Sequence, residues 1–266
     1  MNKSSIKLIN ELDYKPSAAR LDLIVHQLQK LDVEYVIQDY STGMNLIVDL
    51  GHGNRRIGVS SHFDRVPGSG GANDNGSAIV VCLEIIRRYH LEQSATPLRV
   101  FFFDEEENGL LGSNAYVSQF GISDMESLIN MELVGVGDQF ALWPVSKNKS
   151  TPTLARFERA ADGLNVATTR FDQIVTNSAD HLPFLKAGLD DSFTITCISD
   201  EDLKIAASYY AALRAGKPLD VLQEIIFSAP TFANYHRRSD TADKLDLRAL
   251  QSTANCIWNT INNLGI

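Results

Sequence analysis

The run PLRVFFF, from Pro97 to Phe103, passes directly into four acids, Asp104 to Glu107. A short, β-branched and aromatic run of this kind reads as a buried strand. Its acids begin where the strand leaves the core, and like charges there are expensive unless a cation neutralises them. Most acidic runs are solvated faces. At this junction a metal site accounts for the charge better.

Strand and helix patterns alternate on both sides of this segment. A helix fits Pro16 to Leu31, with Ser17 able to cap it and Leu21, Ile24, Leu28 and Leu31 at helical spacing. Short strands follow near 35–38, 45–50 and 56–61, and a glycine-rich loop at 67–76 leads into a helix from Ser77 to about His90. Further helices fit 112–120, 151–164, 180–186 and 245–262, with strands at 128–133 and 192–198. Such alternation predicts an α/β protein with a mostly parallel central sheet. In such sheets ligands gather at the carboxyl ends of the strands.

The chain has 266 residues, 44% of them apolar and 21% charged, an ordinary globular composition with enough length for a full core. Its 24 basic and 33 acidic residues give a net charge of −9, which argues against a nucleic-acid or anionic-membrane partner. No apolar run approaches the roughly 20 residues of a membrane span, and no apolar leader segment is evident in MNKSSIKLINELDYKP. Cys82, Cys197 and Cys256 are too scattered for a disulfide framework and read as core thiols. These features point to a cytoplasmic protein.

Five clusters carry chemistry. His62 and Asp64 stand at a strand end in SSHFDRV, where the carboxylate could fix the imidazole tautomer; alone, this is more simply a capped strand end. Asp74 in GGANDNGS would ordinarily be a helix cap. The acids after Phe103 are the third cluster. Glu132, in the apolar strand LINMELVG, has no Lys or Arg nearby in sequence to pair with. His236 and Asp240 in NYHRRSDTAD would ordinarily lie on a surface loop. Taken together they supply imidazoles and carboxylates mostly at strand ends, a mixture that suits zinc or a similar divalent ion.

The ordered motifs H-x-D, G-A-x-D-N-x-S, E-E-x-G-L-L-G-S, N-x-E-L-V-G, S-x-D-H-x-P-F and Y-H-x-x-x-D-T run from His62 to Thr241. Their series resembles the co-catalytic zinc aminopeptidases, a metallopeptidase family that also contains the glutaminyl cyclases. The resemblance implies a single three-layer α/β domain over residues 1–266, its mixed, mostly parallel sheet flanked by helices. It implies two divalent ions, zinc foremost. Asp74 would bridge them, with His62 and Glu132 completing one site and Glu107 and His236 the other. Glu106 would be the general base for the bridging water, Asp64 would orient His62, and Asp240 would orient His236. A cis peptide between Asp74 and Asn75 is also implied. Asp180 and His181 match a family segment in which Ala179 is an insertion, and they are not taken as ligands.

Two departures stand out. The family usually carries Asp where this chain has Glu132, and the disulfide of secreted members has no counterpart between Asp200 and Ser228. That stretch reads as two helices broken at Gly216–Pro218. It is either an ordinary hairpin on the core, a lid or wall of the substrate pocket, or a subunit contact; the oligomeric state stays open. The expected activity is removal of an N-terminal residue from a peptide or aminoacyl amide. The alternatives are a one-zinc glutaminyl cyclase, a specialised dipeptidase or amidase, and a non-catalytic binding module on the same fold.

Overall fold

The structure is a computed structural model that describes residues 1, 3–173 and 178–263. Its strands are β1 (Val36–Asp39), β2 (Met44–Leu50), β3 (Arg56–His62), β4 (Leu98–Phe103), β5 (Met125–Met131), β6 (Gln139–Trp143), β7 (Thr168–Arg170) and β8 (Ser192–Ile198). They form one sheet in the order β1-β2-β4-β3-β5-β8-β6-β7. The centre, β4-β3-β5-β8, is parallel. Antiparallel pairings bring in β1 and β2 on one side and β6 on the other, and β7 then pairs parallel to β6.

The helices are α1 (Lys3–Leu12), α2 (Ser17–Lys30), α3 (Ser77–Glu92), α4 (Leu111–Phe120), α5 (Pro152–Gly163), α6 (His181–Lys186), α7 (Asp200–Arg214), α8 (Leu219–Ile226) and α9 (Leu247–Asn262). Side chains alternate across β4 and explain the apolar run. Val100 and Phe102 enter the large core under α1, α2, α3, α5 and α9, whereas Phe101 and Phe103 enter an aromatic core under α4 and α6. There the Phe101 ring meets Tyr116 edge-on at 4.8 Å, and Tyr116 stacks on Phe184 at 5.6 Å. Burial on both faces is what makes a central strand continuously apolar.

Three elements escape the sequence patterns: α1, β6 and β7. The strand expected over 128–133 starts earlier and stops at Met131, so Glu132 lies just past the strand end rather than inside it. Ser17 begins α2 but makes no side-chain cap; Pro16 occupies the cap position. The stretch 200–228 is a helical hairpin as expected, α7 and α8.

Candidate active site

Register brings the clusters to one edge. In the parallel pairing of β3 with β4, His62 stands opposite Phe103, so the acids after Phe103 emerge beside it. Ser60 of β3 pairs with Asn130 of β5, which sets Glu132, two residues on, level with His62. The chain turns sharply at this edge. Glu105, Leu133 and His236 all take positive φ, at 54°, 55° and 57°, a region that costs a residue with a Cβ about 1–2 kcal/mol. Gly112 of the G-L-L-G-S motif permits the close approach of α4, since a Cβ there would lie 2.3 Å from the Asp104 carbonyl oxygen.

The two oxygens of Asp74 face two different imidazoles. Oδ1 lies 3.2 Å from His62 Nε2 and Oδ2 lies 3.3 Å from His236 Nε2. Glu132 Oε2 completes the first group at 3.3 Å from His62 Nε2, and Glu107 Oε2 completes the second at 3.1 Å from His236 Nε2. Each group offers three donor atoms within 4.8 Å of one another, and Glu106 lies within the same reach of His62 and Glu107. Glu107 Oε1 is buried with no protein partner. One nitrogen and two carboxylate oxygens per group, sharing Asp74, fit two divalent cations of the zinc type. In the first group His62 is 1% exposed, while His236 of the second is 35% exposed.

A ring of further contacts fixes these atoms. Asp64 Oδ1 lies 3.1 Å from His62 Nδ1, and the Asp64 carboxylate also accepts the backbone amides of Glu106 and Glu107, each at 3.1 Å. Asn75 donates to Glu132 Oε2 at 2.8 Å and Asn130 to Oε1 at 3.0 Å. Ser178 Oγ donates to Glu106 Oε1 at 2.7 Å. The Tyr235 ring stacks on His236 with centroids 3.7 Å apart. The peptide between Asp74 and Asn75 is cis, as the motif implied.

Asp240 departs from expectation. It accepts the amides of Asn73 at 2.8 Å and Asp74 at 3.0 Å. Both of its oxygens are thereby committed to the loop that carries Asp74, rather than to His236.

Burial and charge crowding perturb the two donor groups and Glu106. Burial raises the Glu106 carboxyl well above the ordinary carboxylate range, with Glu132 and Asp180 adding to the rise and His62 opposing it. Burial likewise raises Glu107 and Glu132. Burial works to lower His62 and His236, but neighbouring carboxylates overcome it; His236 rises to about 10 through Asp74 and Glu107. Asp74 moves the other way: burial raises it, yet the two imidazoles pull it below its ordinary value.

Asp180 and His181 stay outside both donor groups, as read from the inserted Ala179. Both are fully buried. His181 Nδ1 meets Thr194 Oγ1 at 2.6 Å, and Thr194 in turn accepts from Asn130 at 3.1 Å.

A pocket opens from His62, Asp74, Glu106 and Glu132. Leu133, Trp143, Phe171 and Ile198 form one apolar side, and the α7–α8 hairpin adds Ala206, Tyr210 and Ile226. Phe171 stacks on Tyr210 at 5.6 Å, and Tyr210 Oη donates to the Gln173 carbonyl at 2.9 Å. Asp202, also in the wall, accepts from the Ser199 amide at 2.7 Å and the Thr231 amide at 2.9 Å, which ties the start of α7 to the turn at 230–232. No Lys or Arg lies among the described lining residues.

Sequence reasoning gave no role to Arg20, Asn75, Asn130, Ser178 or Tyr235. Asn75, Asn130, Ser178 and Tyr235 sit inside the quoted motifs, so their place was marked though their partners were not. Arg20 carried a fainter signal: it precedes Ile24 and Leu28 at intervals of four on the buried stripe of α2.

A mixed α/β sheet with two carboxylate-linked donor groups at the carboxyl ends of its strands is the architecture of a metallopeptidase. The chain belongs to Peptidase family M28, whose profile matches residues 45–261. It is 33% identical over 141 residues to Aminopeptidase YwaD of Bacillus subtilis, covering 50% of this chain and 30% of that protein. It is 32% identical over 148 residues to the vacuolar membrane protease of Candida glabrata, covering 54% of this chain and 14% of the relative. The chain thus spans less than a third of either relative's length.

Among solved structures, a zinc aminopeptidase from Bacillus subtilis aligns with TM-score 0.63 and 23% identity, over 83% of this chain and 49% of that one. A Zn-dependent exopeptidase from Parabacteroides distasonis aligns with TM-score 0.74 and 16% identity, over 98% and 97% of the two chains. The glutaminyl cyclase of Porphyromonas gingivalis aligns with TM-score 0.71 and 17% identity, again over 98% and 97%. At these identities the likeness is one of fold.

Proposed function

We propose that the chain is a two-metal aminopeptidase that hydrolyses the bond after the N-terminal residue of a peptide or aminoacyl amide. The observation that carries this reading is Asp74 facing both His62 and His236, with Glu106 alongside. His62, Asp74 and Glu132 would hold one ion, and Asp74, Glu107 and His236 would hold the other. Bound zinc would polarise the scissile carbonyl and lower the pKa of the attacking water. Glu106 takes the proton from that water and delivers it to the leaving amine. Ser178 aims its carboxylate, and Asp64 holds the backbone that carries it.

The apolar pocket supports a large apolar N-terminal side chain, and the α7–α8 hairpin forms its wall. Free, buried Cys82, Cys197 and Cys256 support a reducing, cytoplasmic setting. Among the described residues no helix is long and apolar enough to cross a membrane. Two donor groups, each with its own imidazole, favour the two-ion peptidase reading over a one-zinc cyclase.

The test is a substrate panel of aminoacyl-p-nitroanilides, dipeptides and Gln-peptides, with zinc, cobalt or manganese added. Release of p-nitroaniline from leucyl or phenylalanyl substrates is expected. Cyclisation of Gln-peptides without hydrolysis of any other member would overturn the proposal.

A further inference from the structure

Arg20 is completely buried, at 0% exposure, on the core-facing stripe of α2. Among the described residues no carboxylate forms an ion pair with it. Its guanidinium instead donates to two carbonyls, from Nη1 to Asp64 at 3.0 Å and from Nη2 to Gly71 at 2.8 Å. A buried guanidinium without a carboxylate partner is costly, so its place in the fold calls for a reason.

The two carbonyls belong to the two backbone segments that build the metal centre. The Asp64 segment carries the carboxylate that faces His62 and receives the amides of Glu106 and Glu107. Gly71 opens the loop that carries Asp74. That loop wraps the guanidinium closely: a Cβ on Gly71 would stand 3.2 Å from Nη1, and one on Gly76 would stand 3.2 Å from Nη2. The Gly71 carbonyl also accepts the Gly76 amide at 3.1 Å, which closes the loop around Asp74. The acids that act on the guanidinium through space include Asp74, Asp64, Asp240 and Asp13. Arg20 itself precedes the stretch matched by the family profile, which starts at residue 45.

We propose that Arg20 is a positioning residue of the metal centre: its planar fork ties the Asp64 segment to the Asp74 loop and so presets the spacing of the donor atoms. A Lys ammonium keeps the charge but lacks the rigid fork that spans two carbonyls. This inference rests on the two-metal reading above.

The experiment measures zinc affinity by competition with a chromophoric chelator, together with thermal melting of the chelator-treated protein, for Arg20→Lys, Arg20→Met and Ile24→Ala. Ile24 lies on the same helix face and makes no contact with either loop through hydrogen bonds, so Ile24→Ala is the packing control. Arg20→Lys is expected to weaken zinc binding about tenfold, the lower end of the usual effect of losing a group that orients ligands, while still melting cooperatively. Arg20→Met should weaken it further. Ile24→Ala should lower the melting temperature and leave zinc affinity unchanged. Unchanged zinc affinity in folded Arg20→Lys would overturn the proposal. So would failure of both Arg20 variants to fold while Ile24→Ala folds, since Arg20 would then serve the fold and not the centre. An unaltered protein that binds no zinc would overturn the two-metal reading itself.

Discussion

Asp64 Oδ1 stands 3.1 Å from His62 Nδ1, and the same carboxylate receives the amides of Glu106 and Glu107. One side chain therefore contacts the His62 imidazole and the backbone of both Glu106 and Glu107, the proposed ligands and base. Asp64→Ala removes all three contacts and is expected to lower zinc affinity by about 10–100-fold, with a smaller loss in Asp64→Asn, which keeps one acceptor oxygen. Zinc content after dialysis decides the matter: full retention in Asp64→Ala would show that the three contacts do not organise the centre.

The two donor groups differ in exposure, with His62 at 1% and His236 at 35%. Chelation should then proceed in two phases, the first equivalent leaving from the Asp74–Glu107–His236 group. The emptied cluster keeps four carboxylates together, so the melting temperature should fall. A ligand at about 100 times its Kd stabilises by roughly 2.7 kcal/mol. Stopped-flow release with a coloured chelator, followed by a melting curve, checks both points. A single phase or an unmoved melting curve, with metal loss confirmed, would count against the two-site arrangement.

Much of this candidate centre was legible in advance because each proposed ligand sits in a short motif: His62, Glu107 and Glu132 at or just past strand ends, Asp74 at the turn into α3, and His236 in the loop before α9. His62 closes β3 and the acids follow β4, so parallel register alone brings them together. What stayed hidden depends on distant pairing. Asp240 was read toward His236, its neighbour in sequence, but the fold commits it to the amides of Asn73 and Asp74. The short strands β6 and β7 owe their form to pairing at the sheet edge beside β8, which no local pattern announces. The α1 sequence has a Lys between its apolar residues, which masked an amphipathic helix that buries Ile9 and Leu12.

His181 supplies a pH signature away from the ligands. Burial, aided by Lys149, pushes its imidazole down from 6.5 to about 3. Between those values the unfolded chain binds the proton and the folded chain does not. Stability contributed by the neutral imidazole is therefore present above pH 6.5 and lost as pH falls toward 3. His181→Gln should flatten this part of the acid limb in urea unfolding measured at stepped pH. Identical slopes in the two proteins would contradict the assignment.

Glu106 and Glu107 are adjacent yet differ in surroundings. Glu107 Oε2 faces His236, whereas Glu106 Oε1 is held by Ser178. Glu106→Gln should retain both metals and lose roughly 10²–10⁴ in turnover, the usual worth of a general base. Glu107→Gln should lose metal as well as rate. Glu105, whose carboxylate accepts from Thr42 Oγ1 at 2.5 Å away from the donor groups, should tolerate Gln. Metal stoichiometry and kcat on the three variants separate the roles, and a fully active Glu106→Gln enzyme would remove Glu106 from the mechanism.

The hairpin offers the sharpest handle on selectivity. Ala206 and Tyr210 line the pocket, whereas Tyr209 does not and packs against the small core that includes Leu133 and Ile226. Ala206→Phe should fill the pocket and cut kcat/KM for phenylalanyl and leucyl substrates about tenfold relative to alanyl ones, within the usual range of pocket discrimination. Tyr210→Ala removes the ring stacked on Phe171 and should shift the ranking toward bulkier side chains. Arg214, at the last turn of α7 and outside the lining, should leave the ranking alone when changed to Ala. Sedimentation of the same variants tests the competing role: a changed mass with an unchanged substrate ranking would make the hairpin a subunit contact instead of a pocket wall.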